Sequence, residues 1–302
     1  MSPSASPDRD LVTRCAVVGL GNMGGAVAAR LHACGFDVIG VDLDERARSR
    51  VGSSGIPATA TIAEGIAAAT VVLTSLPADA AVLDAWTSPG GIAAVAAPGT
   101  FVVELSTIGP DTMREVAAVA RRSGLRPVDA PVSGGPAEAA AGTLALIVGG
   151  EDTDLDEVDH VLAALGPRRR TGPIGSAKVV KLVNNMMTMG NVAVAAEAFA
   201  VGLAAGVDAT TLYDVLAESG GRSHHFTKRF PKALADDFAP GFTVRLGEKD
   251  LRLALALAES VGVPTPAAAT GTELYGSAIT EGLGDLDIVA MLELYRRWSN
   301  QR

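Results

Sequence analysis

A short glycine-rich turn near the start of the chain constrains the fold more strongly than any other segment. Gly19, Gly21 and Gly24 directly follow a β-branched run and precede a helical pattern. In such a strand–turn–helix unit, the first glycine permits the tight turn, the second lets backbone approach a pyrophosphate, and the third lets helix and strand pack closely. The N–H groups and positive end of the helix also favour phosphate. The sequence therefore predicts a dinucleotide-binding segment comprising Gly19, Leu20, Gly21, Asn22, Met23 and Gly24.

An acidic residue stands where the ribose of such a dinucleotide is recognised. Asp42 lies at the end of the second predicted strand, 23 residues after Gly19. A carboxylate at this position can accept hydrogen bonds from both ribose hydroxyls and repels a 2′-phosphate. The sequence therefore favours NAD over NADP. Arg46 and Arg48 keep NADP open as an alternative, because an arginine there could hold the additional phosphate.

Strand-like and helix-like segments alternate along residues 14–129. β-branched runs predict strands at residues 15–18, 37–41, 71–75, 101–104 and 126–129. Helical spacing of apolar residues predicts helices at residues 23–33, 44–51, 62–69 and 111–122. This alternation is typical of βαβ units, in which helices cover both faces of a parallel sheet. A strand at 143–148, a helix at 151–165 and a last short strand within 166–175 complete the predicted first domain.

The sequence changes character after residue 175, where strand signals stop. Helical patterns cover residues 178–205, 209–218, 227–235, 247–261, 267–281 and 287–298. The first of these is apolar on nearly every side, which predicts a central, buried helix. We therefore expect an α/β fold with an N-terminal Rossmann dinucleotide-binding domain and an all-α C-terminal domain joined by one long helix. The expected divisions are a disordered tail (1–11), the Rossmann domain (12–174) and a helical substrate and oligomerisation domain (175–302).

Composition excludes several classes of function. The 302 residues include 25 Lys plus Arg and 34 Asp plus Glu, for a net charge of −9. An acidic chain without a basic block is poorly suited to nucleic acids or anionic membranes. Cys15 and Cys34 are too few for a disulfide framework or a Cys-based zinc site, and both are expected in the core. The four histidines show no metal-ligand spacing. With no export signal and no apolar stretch judged long enough to span a bilayer, we expect a cytoplasmic protein.

Four segments together resemble one enzyme family. They are VGLGNMG (18–24), DAPVSGG (129–135), KLVNN (181–185) and EKDLRLAL (248–255), and they occur in the family's order. The chain resembles the β-hydroxyacid dehydrogenases, the group of 3-hydroxyisobutyrate dehydrogenase and tartronate semialdehyde reductase within the 6-phosphogluconate dehydrogenase-like superfamily. The likeness extends from about residue 14 to residue 297. At Ala177 the chain departs from the family, which often has glycine there before the catalytic lysine.

The resemblance implies catalytic roles for Lys181 and Asn185. The two residues are spaced i,i+4, so both point from one face of a helix. In the family the matching lysine is the general acid/base, and the matching asparagine helps to hold it and the substrate. On a helix that is otherwise apolar these polar groups need a reason, because unpaired buried polar groups are costly. Lys178, about one turn earlier, is expected to be structural or peripheral.

The resemblance also implies binding contacts. The turn Ser133–Gly134–Gly135 follows a strand end and presents donors suited to a carboxylate or an oxyanion, and the family binds substrate there. Lys249 is expected near nicotinamide and substrate, although a Lys-Asp pair on a helix is more often a surface ion pair. Further cofactor contacts are expected where two strands end, namely at Leu76, Pro77, Ser106 and Thr107.

The implied activity is an NAD(P)-dependent oxidoreductase that interconverts a small 3-hydroxy acid and its semialdehyde. An imine reductase of the same fold is an alternative, but those enzymes typically carry Asp or Tyr in place of Lys181. A non-catalytic NAD-binding scaffold is a second alternative. 6-Phosphogluconate dehydrogenase is disfavoured because its helical half is duplicated, and the 127 residues after Gly175 leave no room for that.

Partners and two histidines complete the expectations. The apolar surface of the helical domain suggests a homodimer or a homotetramer, as in the family. The only other partner expected is a small hydroxy acid or semialdehyde that bears a carboxylate. His224 and His225 are more often loop residues than ligands in such a context, and they remain candidates for substrate specificity.

Overall fold

The computed structural model describes residues 13–299, and the predicted tail at 1–11 lies outside them. Its contacts separate two compact units. The first contains the chain up to Ser106 together with Pro110–Lys178, and the second contains Thr107–Gly109 and the chain from Val179 onward. The division after Lys178 falls inside the helix that follows the expected boundary at residue 174, because the first turn of that helix packs with the first unit.

The first unit is built on a nine-stranded sheet. Its strands are β1 (Arg14–Val18), β2 (Asp37–Val41), β3 (Ala58–Thr59), β4 (Val71–Thr74), β5 (Phe101–Glu104), β6 (Arg126–Asp129), β7 (Val132–Ser133), β8 (Ala145–Gly149) and β9 (Arg168–Gly172). The order is β3-β2-β1-β4-β5-β6-β8-β7, with β9 paired to β8. Pairs among β1–β6 are parallel, whereas β8 runs antiparallel to β6 and β7. The order reverses between β1 and β4, which is where open α/β sheets bind ligands.

Nine helices accompany this sheet in the described residues. They are α1 (Asn22–Ala33), α2 (Glu45–Gly52), α3 (Ile62–Ile66), α4 (Asp79–Thr87), α5 (Ile92–Val95), α6 (Pro110–Arg122), α7 (Pro136–Ala141), α8 (Asp152–Glu157) and α9 (Asp159–Leu165). The single helix predicted at 151–165 is therefore two helices. The sequence pattern missed α4, α5 and α7, although Pro136 at the start of α7 and left-handed Gly142 at its end are standard helix boundary residues.

The two cysteines occupy different environments. Cys15 lies in the central strand β1 with no exposed surface, as predicted. Cys34 is exposed at the C-terminal end of α1, so its expected place in the core was wrong. Burial, with a smaller contribution from the Asp37 carboxylate, raises the pKa of Cys15 to about 12. The two thiols therefore differ in their access to solvent.

The second unit is helical. Its helices are α10 (Ser176–Ala204, whose first turn belongs to the first unit), α11 (Ala209–Glu218), α12 (His224–Leu234), α13 (Val244–Ser260), α14 (Pro266–Thr280) and α15 (Met291–Trp298), with a 3₁₀ turn at Ile288–Ala290. Apart from an isolated bridge between Thr243 and Asp287, its described residues form no strand. Phe199, Phe226 and Phe230 pack against one another in its core with tilted or edge-on rings. The α/β fold class with a helical C-terminal region is confirmed.

Helix α10 differs from its prediction on one face. One side packs into the core of the second unit through Met189, Val192 and Phe199, as expected. Val183, Met187, Val194 and Val201 are exposed instead, and the exposed fraction reaches 66% at Val194. By length and composition alone α10 could also cross a membrane, a property that core helices share. Ala177 lies within its first turn, where helical backbone suits alanine.

Candidate active site

The glycine turn after β1 has the geometry that its sequence predicts. A Cβ on Gly19, whose φ is +90°, would lie 2.2 Å from the Ser75 carbonyl oxygen. A Cβ on Gly24 would lie 1.8 Å from the Gly19 carbonyl oxygen. At Gly21 a Cβ would meet nothing within 4 Å, and α1 begins after Gly21 without a side-chain cap. The turn is thus packed tightly on its protein side and leaves helix N–H groups on an open side, which suits a pyrophosphate.

The carboxylate of Asp42 is held beside this turn. Its Oδ2 accepts a hydrogen bond from the Leu20 N–H at 2.6 Å, and its Oδ1 accepts one from the Asp44 N–H at 2.8 Å. The Arg48 guanidinium donates to the carbonyl oxygens of Asp42 and Leu43, at 2.8 and 2.9 Å. Asp42 is therefore oriented at the tip of β2, and Arg48 is engaged by backbone groups.

The ends of β4 and β5 are tied together by Leu76 and Ser106. The Leu76 N–H donates to Ser106 Oγ at 2.8 Å. The Gly19 turn touches the same strand end, because a Cβ on Gly19 would also lie 3.0 Å from the Leu76 side chain. The structure thus brings three of the predicted cofactor-binding positions together at one edge of the sheet.

The turn at Ser133–Gly135 matches its prediction only in part. Gly134 has a φ of +130°, and a Cβ there would lie 2.8 Å from the Leu144 side chain, so the position requires glycine. Gly135 precedes α7, and its N–H donates to Glu138 Oε2 at 2.8 Å. One of the two backbone donors expected for an anion is therefore taken by the Glu138 carboxylate of α7. Ser133 is half-buried and Gly134 is exposed.

A buried polar cluster in the second unit joins α10 to α13. Asn185 donates from Nδ2 to Asp250 Oδ2 at 2.6 Å. The Lys249 ammonium pairs with Asp250 Oδ1 at 3.0 Å and donates to the Thr107 carbonyl oxygen at 2.8 Å. Lys181 lies one helical turn before Asn185, with a relative exposure of 9%. The Asp250 carboxylate thus joins Asn185 and Lys249, which the sequence proposed separately, and Lys181 lies on the same helix as Asn185.

Asp250 is the member of this cluster that sequence reasoning missed. Its relative exposure is 1%, so it is not half of a simple surface ion pair with Lys249. The available signal was the Lys-Asp pair itself inside EKDLRLAL, a charged pair on a helix with an apolar buried face. A buried carboxylate needs partners, and here two site residues supply them.

The same face of α10 continues to Thr188 and His225. Thr188 follows Asn185 by three residues, and its Oγ1 lies 3.2 Å from His225 Nε2. Because Arg229 Nε donates to His225 Nδ1 at 3.3 Å, Nε2 carries the ring proton. Burial, followed by the charge of Arg229, lowers the pKa of His225 to about 4. The two histidines begin α12, capped by Ser223, rather than lying in a loop before a helix at residue 227.

Metal chemistry has no candidate ligands in the described residues. No group of three or more His, Cys, Asp or Glu side chains within residues 13–299 is arranged to hold an ion. The buried carboxylates Asp129 and Asp250 instead pair with lysine ammonium groups, and Asp250 also accepts a hydrogen bond from Asn185.

Two family models together span nearly the whole chain. The NAD binding domain of 6-phosphogluconate dehydrogenase matches residues 14–188. The NAD-binding domain of NADP-dependent 3-hydroxyisobutyrate dehydrogenase matches residues 175–295. A solved imine reductase from Pseudomonas sp. has 18% identity and a TM-score of 0.62 over 93% of this chain and 98% of its own, which shows a shared fold alone.

Characterised relatives cover the chain almost end to end. The 3-hydroxyisobutyrate dehydrogenase of Pseudomonas aeruginosa is 36% identical over 94% of this chain and 99% of its own. The 2-(hydroxymethyl)glutarate dehydrogenase of Eubacterium barkeri is 33% identical over 93% of this chain and 94% of its own. The structure of Mycobacterium tuberculosis 3-hydroxyisobutyrate dehydrogenase with L-serine has a TM-score of 0.86 and 32% identity, and the match covers 95% of this chain and 100% of that one. With its glycine turn and lysine–asparagine helix, the chain belongs to the β-hydroxyacid dehydrogenase family of NAD(P)-dependent oxidoreductases.

Proposed function

We propose that the protein interconverts a small 3-hydroxy acid and its semialdehyde, with NAD as the preferred cofactor. The observation that carries this proposal is the polar cluster of the second unit, in which Asp250 fixes Asn185 one helical turn from Lys181. The nicotinamide, when bound, supplies or takes up the hydride. The protein must then move one proton at the substrate oxygen and hold a carboxylate, and this cluster offers groups for both tasks.

Lys181 is the proposed general acid/base. In reduction its ammonium donates a proton to the carbonyl oxygen, and in oxidation its neutral amine accepts the proton of the hydroxyl. The low exposure of Lys181 limits the access of bulk water to that proton. Asn185 is held at both ends, because Asn184 Nδ2 donates to its Oδ1 at 3.1 Å while its own Nδ2 donates to Asp250. One N–H of that amide remains to orient the lysine or the substrate oxygen.

Two groups are proposed to bind the substrate carboxylate. The Lys249 ammonium has three N–H donors, of which the Thr107 carbonyl takes one, and its charge pairs with Asp250. A further N–H can donate to a carboxylate, with the positive charge adding to the attraction. In the first unit, the Ser133 hydroxyl and the Gly134 N–H are the proposed donors. Gly135 contributes by shaping the turn, since its own N–H is bound by Glu138.

The proposed preference for NAD rests on Asp42 and Arg48. An ionised carboxylate at the tip of β2 accepts from ribose hydroxyls and repels a 2′-phosphate. Arg48 would have to give up two hydrogen bonds to backbone carbonyls before it could bind that phosphate. The glycine turn is proposed to hold the pyrophosphate. Leu76, Pro77, Ser106 and Thr107 are the further proposed cofactor contacts, together with Lys249 near the nicotinamide.

A spectrophotometric screen tests the activity. The purified protein is assayed with NAD(H) and NADP(H) against short 3-hydroxy acids and their semialdehydes, including 3-hydroxyisobutyrate, 2-(hydroxymethyl)glutarate and L-serine. Turnover of at least one acid is expected, and Lys181→Ala should lose about 10²–10⁴-fold in kcat while binding NADH normally. Lys232→Ala is the matched control, because Lys232 forms an exposed ion pair in the same unit. Near-normal turnover by Lys181→Ala would refute the proposed mechanism.

The same screen separates the two alternatives. An imine reductase would reduce cyclic imines with NADPH and leave hydroxy acids untouched. A non-catalytic scaffold would bind NADH and turn over nothing. Lys181 supports the dehydrogenase, because it is the residue that imine reductases of this fold typically replace.

Assembly and location are also part of the proposal. We propose a homodimer or homotetramer, supported by the exposed apolar row Val183, Met187, Val194 and Val201 on α10. Sedimentation of the wild type and of Val194→Glu tests this, and a wild-type monomer at assay concentrations would contradict it.

We further propose a cytoplasmic protein without nucleic-acid or membrane partners, in keeping with the net charge of −9. Cell fractionation is the corresponding measurement.

A further inference from the structure

A lysine that the proposed chemistry does not use is completely buried in the first unit. The Lys178 side chain has no exposed surface, and its ammonium lies 3.2 Å from Oδ1 of the equally buried Asp129. The same ammonium donates to the carbonyl oxygens of Glu104 and Ser106, each at 2.9 Å. Lys178 is therefore bound to the ends of both β5 and β6.

Asp129 and Glu104 extend this network across the sheet. Asp129 Oδ2 accepts from the N–H groups of Gly175 and Lys178, at 2.9 and 3.4 Å, where α10 begins. The Glu104 carboxylate accepts from Thr74 Oγ1 and from the Ser106 N–H. Thr74 pairs in register with Glu104, and Glu104 pairs in register with Asp129. Three neighbouring strands therefore end in buried polar residues that are linked partly through side chains and partly through backbone groups.

Ser106 is the residue that this network fixes most completely. Its N–H is bound by Glu104, its carbonyl oxygen by Lys178, and its hydroxyl by the N–H of Leu76. Ser106 and Leu76 are both proposed cofactor contacts at the edge of the sheet where the ligand is expected. Through Lys178, the turn after β5 that contains Ser106 (the Ser106 turn) is joined to Asp129 at the end of β6.

Stability alone is a poor reason for such an arrangement. The desolvation of a buried ion pair offsets much of its attraction, so well-packed apolar residues are often as stabilising or more so. What a buried pair does provide is a defined geometry for the groups it binds. Here the bound groups are the backbone carbonyls on either side of Leu105, next to the proposed cofactor contacts.

We propose that Lys178 is a positioning residue, which acts with Asp129 to hold the Ser106 turn in the conformation that binds the dinucleotide. This inference rests on the proposed function, in which Leu76 and Ser106 contact the cofactor. It assigns Lys178 a role in binding NAD(H) rather than in moving a proton.

The test compares Lys178→Met with two reference variants. The dissociation constant for NADH is measured by calorimetry, the free energy of unfolding by urea titration, and KM and kcat by steady-state assay. We expect Lys178→Met to raise the NADH dissociation constant and the cofactor KM about tenfold, the size of effect that loss of charged hydrogen bonds gives. At saturating cofactor, kcat should stay within about twofold, because no proton step is removed.

The reference variants separate positioning from stability. Arg126→Met breaks ion pairs with Asp154 and Glu157 at the opposite end of β6. It should lower the free energy of unfolding without changing NADH binding. The double variant Lys178→Met with Asp129→Asn removes both buried charges, while the amide oxygen can still accept from the Gly175 N–H, so it should fold more stably than Lys178→Met alone. NADH binding by the double variant should nevertheless stay weak.

Three results would overturn the inference. Unchanged NADH binding in a folded Lys178→Met protein would leave Lys178 a purely structural role. Recovery of NADH binding in the double variant would show that stability, and not the position of the Ser106 turn, was at issue. A wild-type protein that binds no dinucleotide would refute both the inference and the proposed function. A wild type that binds NADH but turns over no hydroxy acid would refute only the proposed activity.

Discussion

Asn185 and Asp250 share a buried hydrogen bond of 2.6 Å, although they stand 65 residues apart in the chain. Asp250 also pairs with Lys249, so one carboxylate orients two of the groups proposed to act on the substrate. We expect Asp250→Ala to lower kcat/KM for the hydroxy acid about 100-fold, because small misplacements of catalytic groups are costly. Steady-state kinetics measures this effect, and calorimetry should find a much smaller loss of NADH binding, because Asp250 pairs with only one of the proposed cofactor contacts, Lys249.

Glu248→Ala is the control for that variant. Glu248 precedes the pair on α13 and forms an i,i+4 ion pair with exposed Arg252. Such pairs contribute little, so Glu248→Ala should keep nearly full activity. Equal losses in both variants would mean that Asp250 supports the helix and not the site.

Asp42 should decide which dinucleotide is used. Its replacement by Ala removes the ribose acceptor and the charge that repels a 2′-phosphate. We expect kcat/KM to fall about tenfold with NAD and to rise with NADP, as measured with both cofactors under the same conditions. Asp44→Ala is a suitable control, because Asp44 caps α2 through the Arg46 N–H and should affect stability alone. An unchanged NAD to NADP ratio in Asp42→Ala would contradict the assignment.

Gly21 offers a substitution that separates binding from folding. A Cβ there would meet no protein atom within 4 Å, and its φ of −58° is open to any residue. Gly21→Ala should therefore fold as stably as the wild type yet bind NADH at least tenfold more weakly, because the methyl group occupies the space of the pyrophosphate. Gly52→Ala, equally free of neighbours at the end of α2, should leave NADH binding intact. Normal NADH binding by Gly21→Ala would place the phosphates elsewhere.

His225 should make the folded state sensitive to acid. Its pKa is lowered to about 4, chiefly by burial, so the folded protein keeps the ring neutral in conditions that protonate the unfolded chain. Because the unfolded chain binds this proton more readily, the free energy of unfolding decreases as the pH falls from about 6.5, the unfolded pKa, towards 4. We expect the urea midpoint of wild type to fall more over this range than that of His225→Gln. Parallel curves for the two proteins would show that other groups control the acid response.

Much of the fold could be predicted because its signals are local. The strand, glycine turn and helix from residue 14 to residue 33 stand in one continuous stretch, and the structure gives Gly19 and Gly24 the steric reasons that their spacing predicts. Short elements escaped prediction, since six-residue α7 and two-residue β7 have too few residues to show a period. The start of α12 could have been placed from Ser223. Serine is a preferred N-cap residue, and the Ser223 hydroxyl accepts from the Phe226 N–H three residues later.

Partners distant in the chain could not be predicted from residue patterns. Lys178 binds groups at Glu104 and Ser106, more than seventy residues earlier, and nothing in its immediate sequence reveals them. The pattern on α10 likewise shows that the helix is apolar, but not that Val194 is exposed and Val192 buried. Each site residue belongs to a short motif that can be recognised in the sequence. The contacts that orient those residues are set by the tertiary fold.

The contrast between Cys15 and Cys34 gives the protein a built-in chemical reporter. A maleimide should modify Cys34 at once in the folded protein, and it should leave Cys15 unmodified, since only an accessible thiolate reacts. The second equivalent is consumed when strand β1 separates from the centre of the sheet. The rate of that second reaction therefore measures how fast the first unit opens, and no engineered label is needed. A dye on Cys34 would likewise mark the end of α1, twelve residues of helix away from the glycine turn.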